Sequence, residues 1–208
     1  MSLLNRSPLL HVMVNAVRRA ARSLIRDYGE IEHLQVSEKG PSNFVNTANK
    51  KAEKTLIENL SQSRPGWSFI FGDKQHIEGE MSDYKWIFDA LDGTTNLLHG
   101  IPYFSISVAA QHLDEIIAGV IYDPLKDEIF HAEKGSGAYL NDKRIRISAR
   151  KSLNNSIVAT NIPIHQNQNH KLFLREIEQF MKTASGLRSK GATALDLAYV
   201  AAGRYEGF

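Results

Sequence analysis

The chain has no cysteine among its 208 residues. A disulfide framework and a thiolate metal site are both excluded, although that absence does not by itself identify a compartment. It also lacks any run approaching ~20 apolar residues, and the stretch from Met1 to Pro8 has no signal-peptide apolar core. An excess of one charge is missing too. The 25 Lys and Arg residues stand against 23 Asp and Glu, and a net +2 gives no field that argues for nucleic-acid or membrane binding. No internal repeat, low-complexity tract or Gly/Ser/Pro-rich linker marks a boundary, so residues 1–208 read as one domain, long enough to bury a core. A soluble, cytoplasmic protein is the expectation.

What is present alternates between helical and strand patterns. Leu10, Val14, Val17, Ala21, Leu24 and Ile25 form an apolar stripe that predicts a helix over 9–28, with Gly29 as its stop. The arginines off that stripe read as a solvated face. Ala52, Leu56, Ile57 and Leu60 predict a second helix over 48–60. Strand patterns follow over 67–71, 104–111, 116–122, 128–132 and 157–160, and further helices over 172–181 and 193–202. Strand clusters mixed with helices argue an α+β or α/β layered sandwich. None of the eight histidines shows the spacing of a helical zinc site.

Residues 86–96 carry the chemistry. The apolar strand run of Trp86, Ile87 and Phe88 is interrupted by Asp89 and Asp92, and Gly93, Thr94, Thr95 and Asn96 follow. At a strand end the two aspartates can converge on one point. Gly93 allows a sharp reversal, and the threonines can cap a helix or short turn. Two close carboxylates repel unless a cation sits between them, and hard oxygen ligands favour Mg²⁺ shared with a phosphate. Metal-dependent phosphate chemistry is the first hypothesis. Plain turn chemistry, with each aspartate bonding nearby backbone amides, stands beside it.

The string from Asp89 to Asn96, followed by residues 100–109, resembles the signature of the inositol monophosphatase family. Residues 39–45, 122–124, 128–130, 135–141 and 191–204 are similar to further family blocks and fall in family order. Within the family, the chain looks most like the bacterial branch containing the extragenic suppressor proteins. The resemblance implies an α-β-α-β-α sandwich and Mg²⁺-dependent hydrolysis of inositol monophosphate or a related small polyol or sugar phosphate. It implies metal ligation by Asp73, Asp89, Asp92 and the Leu91 carbonyl, with Thr94 orienting the attacking water beside Asp89. It also implies phosphate contacts from Gly93, Thr94 and Thr95, substrate contacts from Gly191, Ala192 and Thr193, and a homodimer. Lys39 could meet phosphate.

Several departures bear on activity. Gly72, Asp73 and Lys74 stand where the family usually shows Gly-Glu-Glu, so an ammonium replaces a carboxylate. Asn49 replaces an aspartate that pairs with the water-orienting threonine, and Ala90 replaces a proline. The sequence ends at Phe208, where the family continues with a Trp-Asp metal ligand and a closing unit, so the domain reads as incomplete there. An apolar face of the late strands and of the 193–202 helix is therefore expected to lie uncovered. These departures favour a rival function: a non-catalytic member working through protein or RNA contacts, with RNA polymerase a partner by analogy with the suppressor branch. Hydrolysis of a sugar or adenosine bisphosphate is a weaker third reading.

Overall fold

The computed structural model describes residues 6–34, 41–72, 75–163 and 170–208. Two long helices lead the chain, α1 (Pro8–Leu34) and α2 (Pro41–Ser63). Five of the six residues of the expected stripe are buried, Leu10, Val14, Val17, Ala21 and Leu24, joined by Met13, but Ile25 is 40% exposed and lies at the edge of the stripe. Gly29 does not end α1, which runs five residues further, to Leu34. A helical glycine costs only about 1 kcal/mol relative to alanine, too little to stop a well-packed helix by itself. Helix α2 begins seven residues before the expected start, at Pro41, a residue whose fixed φ suits a first helical turn.

Eight strands form one sheet: β1 (Trp67–Phe71), β2 (Gln75–Ile77), β3 (Met81–Asp92), β4 (Ser105–His112), β5 (Glu115–Asp123), β6 (Glu128–Glu133), β7 (Gly137–Leu140) and β8 (Lys143–Arg144). Their order is β2-β1-β3-β4-β5-β6-β7-β8, with β1 parallel to β3 and every other pair antiparallel. The glycines at 135 and 137 read as a break in the sequence. In the structure Gly137, at φ +87°, opens β7. The short helix α3 (Thr94–Leu98) lies between β3 and β4. A second, parallel pair of strands follows, β9 (Ile157–Ala159) and β10 (Gly186–Arg188), with α4 (His170–Thr183) between them in the chain and α5 (Thr193–Ala201) after them.

Strand alternation sorts the large sheet's side chains onto two faces. Trp86, Phe88, Ile106, Val108, Val120 and Tyr122 pack against α1 and α2 in the main core. On the other face, Phe130 joins Leu195, Ala198 and Tyr199 of α5 and Ala159 of β9 in a second cluster. Helix pair, large sheet, α5, small sheet and α4 thus follow one another as an α+β sandwich of alternating layers.

Between the large sheet and α5 runs an apolar groove of about 540 Å³, lined by Ile87, Ala109, Ile121, Leu197 and Ala201 among others. Leu197 is 48% exposed there. An uncovered apolar face is present on the last helix as expected, but on the sheet side the groove lies chiefly against β3, β4, β5 and β6 rather than against the late strands. No described helix is long and apolar enough to cross a membrane.

Candidate active site

Asp89 and Asp92 are three residues apart, which in a regular strand would point them to opposite faces. The register prevents this. Asp89 pairs with Ser107 and Asp92 with Ser105, so three steps on β3 match two on β4, and one extra residue bulges between them. Ser105 and Ser107 share a face of β4, and their two partners therefore share a face of β3. The bulge is what lets both aspartates serve one site.

That site is a polar cleft of about 690 Å³ at the end of β3. Its walls are Asp89, Leu91, Asp92, Gly93 and Thr94 on one side and Asn46, Asn49, Lys50 and Glu53 of α2 on the other, closed by Gly72 and Gln75. Asp89 is exposed and its Oδ1 accepts from the Leu91 amide at 3.0 Å. Asp92 is half-buried, and its Oδ2 accepts from the Ala194 amide at 2.7 Å. Burial pushes the Asp92 carboxyl above its usual range, the Ala194 amide holds it down, and the charge of Asp89 pushes it up again. Gly93 has φ +95° and precedes α3 with no side-chain cap, so neither Thr94 nor Thr95 caps a helix here.

Of the site residues expected from sequence, Asp89, Leu91, Asp92, Gly93 and Thr94 line this cleft together. Thr95 is exposed beside it, outside the lining. Asp73, Lys74 and Lys39 lie outside the described residues, although Gly72 and Gln75 on either side of the first two line the cleft. Gly191, Ala192 and Thr193 do not line it. They are tied to it by Asp92, which reaches across 102 residues of sequence to the start of α5. Asn96 adds a second tie, its Nδ2 donating to the carbonyls of Tyr103 and Lys190 at 2.6 Å each. Thr193 does not cap α5. Its hydroxyl accepts from Asn161 Nδ2 at 2.6 Å, and the long-range carboxylate of Asp92 meets the amide instead.

Sequence reading missed the α2 wall beyond Asn49. Asn46, Asn49, Lys50 and Glu53 recur at the spacing of one helix face, beside the buried face of Val45, Ala48, Ala52 and Leu56. That periodicity was the available signal, once Asn49 was placed at the site.

Do these residues suit Mg²⁺? Among the described residues, no three of His, Cys, Asp and Glu come together closely enough to hold a metal ion. Mg²⁺ does not need three. It keeps several waters and binds through one or two carboxylates plus substrate phosphate. The lining offers hard oxygen and amide groups with no thiol or imidazole, and Lys50 is the one cation among the lining residues. The donor set fits.

A family model for the inositol monophosphatase family matches residues 5–208. The chain belongs to the inositol monophosphatase family. It is 48% identical to an inositol-1-monophosphatase of Mesorhizobium japonicum over 203 residues, covering 98% of this chain and 76% of the relative. It is 37% identical to a protein named Nus factor SuhB from Pseudomonas aeruginosa, covering 97% of this chain and 76% of that one. The crystal structure of the extragenic suppressor protein suhB from Bartonella henselae superposes with a TM-score of 0.87 at 49% identity, over 96% of this chain and 76% of that one. The inositol monophosphatase family thus supplies both the fold and the context for the cleft. The apolar groove lies on a chain that spans about three quarters of these relatives' length.

Proposed function

We propose that the chain is a Mg²⁺-dependent phosphomonoesterase acting on inositol monophosphate or a related small polyol or sugar phosphate. The observation that carries this reading is the β3 bulge, which turns Asp89 and Asp92 toward one polar cleft shared with Thr94. When bound, Mg²⁺ neutralises phosphate oxygens that gain charge and makes water more acidic. Asp89 and Asp92, with the Leu91 carbonyl and Asp73, hold the cation in this proposal. Thr94 orients the attacking water, in line with the leaving alcohol. The backbone around Gly93 and Thr95 holds phosphate oxygens, in a loop whose tight backbone only glycine at 93 allows. Gly191, Ala192 and Thr193 meet the substrate's hydroxyls, kept in place by the Asp92 and Asn96 hydrogen bonds.

A homodimer in the cytoplasm belongs to the same proposal, and the open apolar groove supports self-association. The non-catalytic reading draws on Asn49 and Lys74 in place of carboxylates and on the relative named Nus factor SuhB. Phosphate release from a panel of monophosphates, with and without Mg²⁺, tests the main reading. Release that requires Mg²⁺ and disappears in Asp89→Asn is expected. Metal-independent release, or none from any substrate, would count against it.

A further inference from the structure

Glu53 stands on the wall of the cleft opposite the aspartates. Two observations locate its carboxylate. The Asn49 side-chain amide, one helical turn earlier, donates to Glu53 Oε1 at 3.1 Å. A methyl group built on Gly72 would lie 3.8 Å from that same oxygen, so the carboxylate sits over the open backbone at the end of β1. An ionised carboxylate only accepts hydrogen bonds, so the Asn49 NH₂ must face it and Oδ1 must point elsewhere. That Oδ1 is buried and has no hydrogen-bond partner in the protein. A buried acceptor left alone is costly, which favours a donor arriving from outside the chain, such as water or a hydroxyl. Burial raises the Glu53 carboxyl above its usual range, the Asn49 bond lowers it, and the charge of Asp89 raises it again, as expected of a group facing that aspartate.

We propose that Asn49 and Glu53 form a positioning pair for the cation: Asn49 holds Glu53 across the cleft from Asp89, and Glu53 accepts hydrogen bonds from the waters of the bound Mg²⁺. The inference rests on the metal-dependent reading above. It gives Asn49 a purpose that an aspartate could not serve, since an aspartate would repel Glu53 one turn away instead of holding it. It also places a carboxylate on α2, beyond those the sequence assigns to the site.

The test is titration of the 208-residue chain with Mg²⁺ by calorimetry, with Mn²⁺ and water-proton relaxation as a second probe. Glu53→Gln keeps the shape and an acceptor for Asn49 but removes the charge. It is expected to weaken Mg²⁺ binding roughly 10-fold, in the range usual for partners one layer outside a metal's ligands, with an unchanged melting temperature. Glu53→Asp should recover part of the loss. Asn49→Ala should weaken binding in the wild-type background and have no further effect in the Glu53→Gln background, because the pair acts as one unit. If Asp89→Asn abolishes binding while Glu53→Gln stays within about twofold of wild type, this inference is overturned and the metal-dependent reading stands. If the wild-type chain binds neither ion, both are overturned.

Discussion

Gly93→Ala is the perturbation whose cost the geometry sets most tightly. Gly93 adopts φ +95°, a left-handed conformation. For an L-residue such a conformation costs roughly 1–2 kcal/mol. A Cβ there would stand 3.0 Å from the Tyr103 carbonyl oxygen, 3.1 Å from Phe104 Cβ and 3.2 Å from Phe104 Cα. Two of those three atoms are backbone and Phe104 is fully buried, so little can move aside. Overpacking of that kind costs about 1–3 kcal/mol. Reduced freedom of the unfolded chain returns about 0.4–1 kcal/mol. The sum is a loss of about 1–4.6 kcal/mol. For a chain of this size each kcal/mol shifts the melting temperature by roughly 2–4 °C, so a fall of about 2–18 °C is expected. Gly135→Ala is the control: its φ is +79° but nothing lies within 4 Å of its Cβ, so only the conformational part applies, about 0–1.6 kcal/mol net. Thermal unfolding of both variants by circular dichroism decides the matter. Equal shifts for the two would refute the claim that contact with residues 103 and 104 closes this turn. Because Gly93 lies between Asp92 and Thr94, the variant should also lose Mg²⁺-dependent turnover at temperatures where it remains folded.

Three further outcomes follow from other contacts. Asp92→Ala removes the acceptor that meets the α5 amide at 2.7 Å and should cost about 0.5–2 kcal/mol, the usual range for a lost helix cap; a variant of wild-type stability in urea would show that this bond contributes nothing. Glu128 accepts both Arg204 nitrogens, at 2.7 and 2.6 Å, and that pairing holds its carboxyl below the ordinary value of 4.5. Its stabilisation is present above pH 4.5 and disappears as pH falls through the lowered folded value, because the unfolded state binds the proton more readily. Glu128→Gln should therefore lose about 1–2 kcal/mol at pH 7, discounted for partial exposure, and show a flatter stability profile below pH 4.5; parallel acid profiles for variant and wild type would contradict this. Leu197→Asp places a charge in the apolar groove and should shift sedimentation toward monomer without lowering the melting temperature, whereas an unchanged distribution would remove the groove as a self-association surface.

The sequence by itself determined the elements and the kind of chemistry. The apolar spacing of Leu10, Val14 and Val17 is a local property, as is the strand run of Trp86 to Phe88, and both appear where the pattern places them. The order Asp89, Asp92, Gly93, Thr94 likewise names a carboxylate pair beside a tight turn without any fold. Boundaries were less legible, because Gly29 weighs only about 1 kcal/mol locally against tertiary packing of a whole helix. Tertiary structure decided how the site is assembled. The bulge that puts Asp89 and Asp92 on one face exists only through the register of β3 on β4. The bond from Asp92 to Ala194, and with it the position of the Gly191 to Thr193 loop, joins segments 102 residues apart. Glu53 carries no signal of its own in the sequence, and it joins the site only because α2 lies along the end of β3, where its charge faces that of Asp89. Local periodicity fixes which face of an element is buried; which polar groups meet across a cleft depends on how those faces dock, and no single segment encodes that.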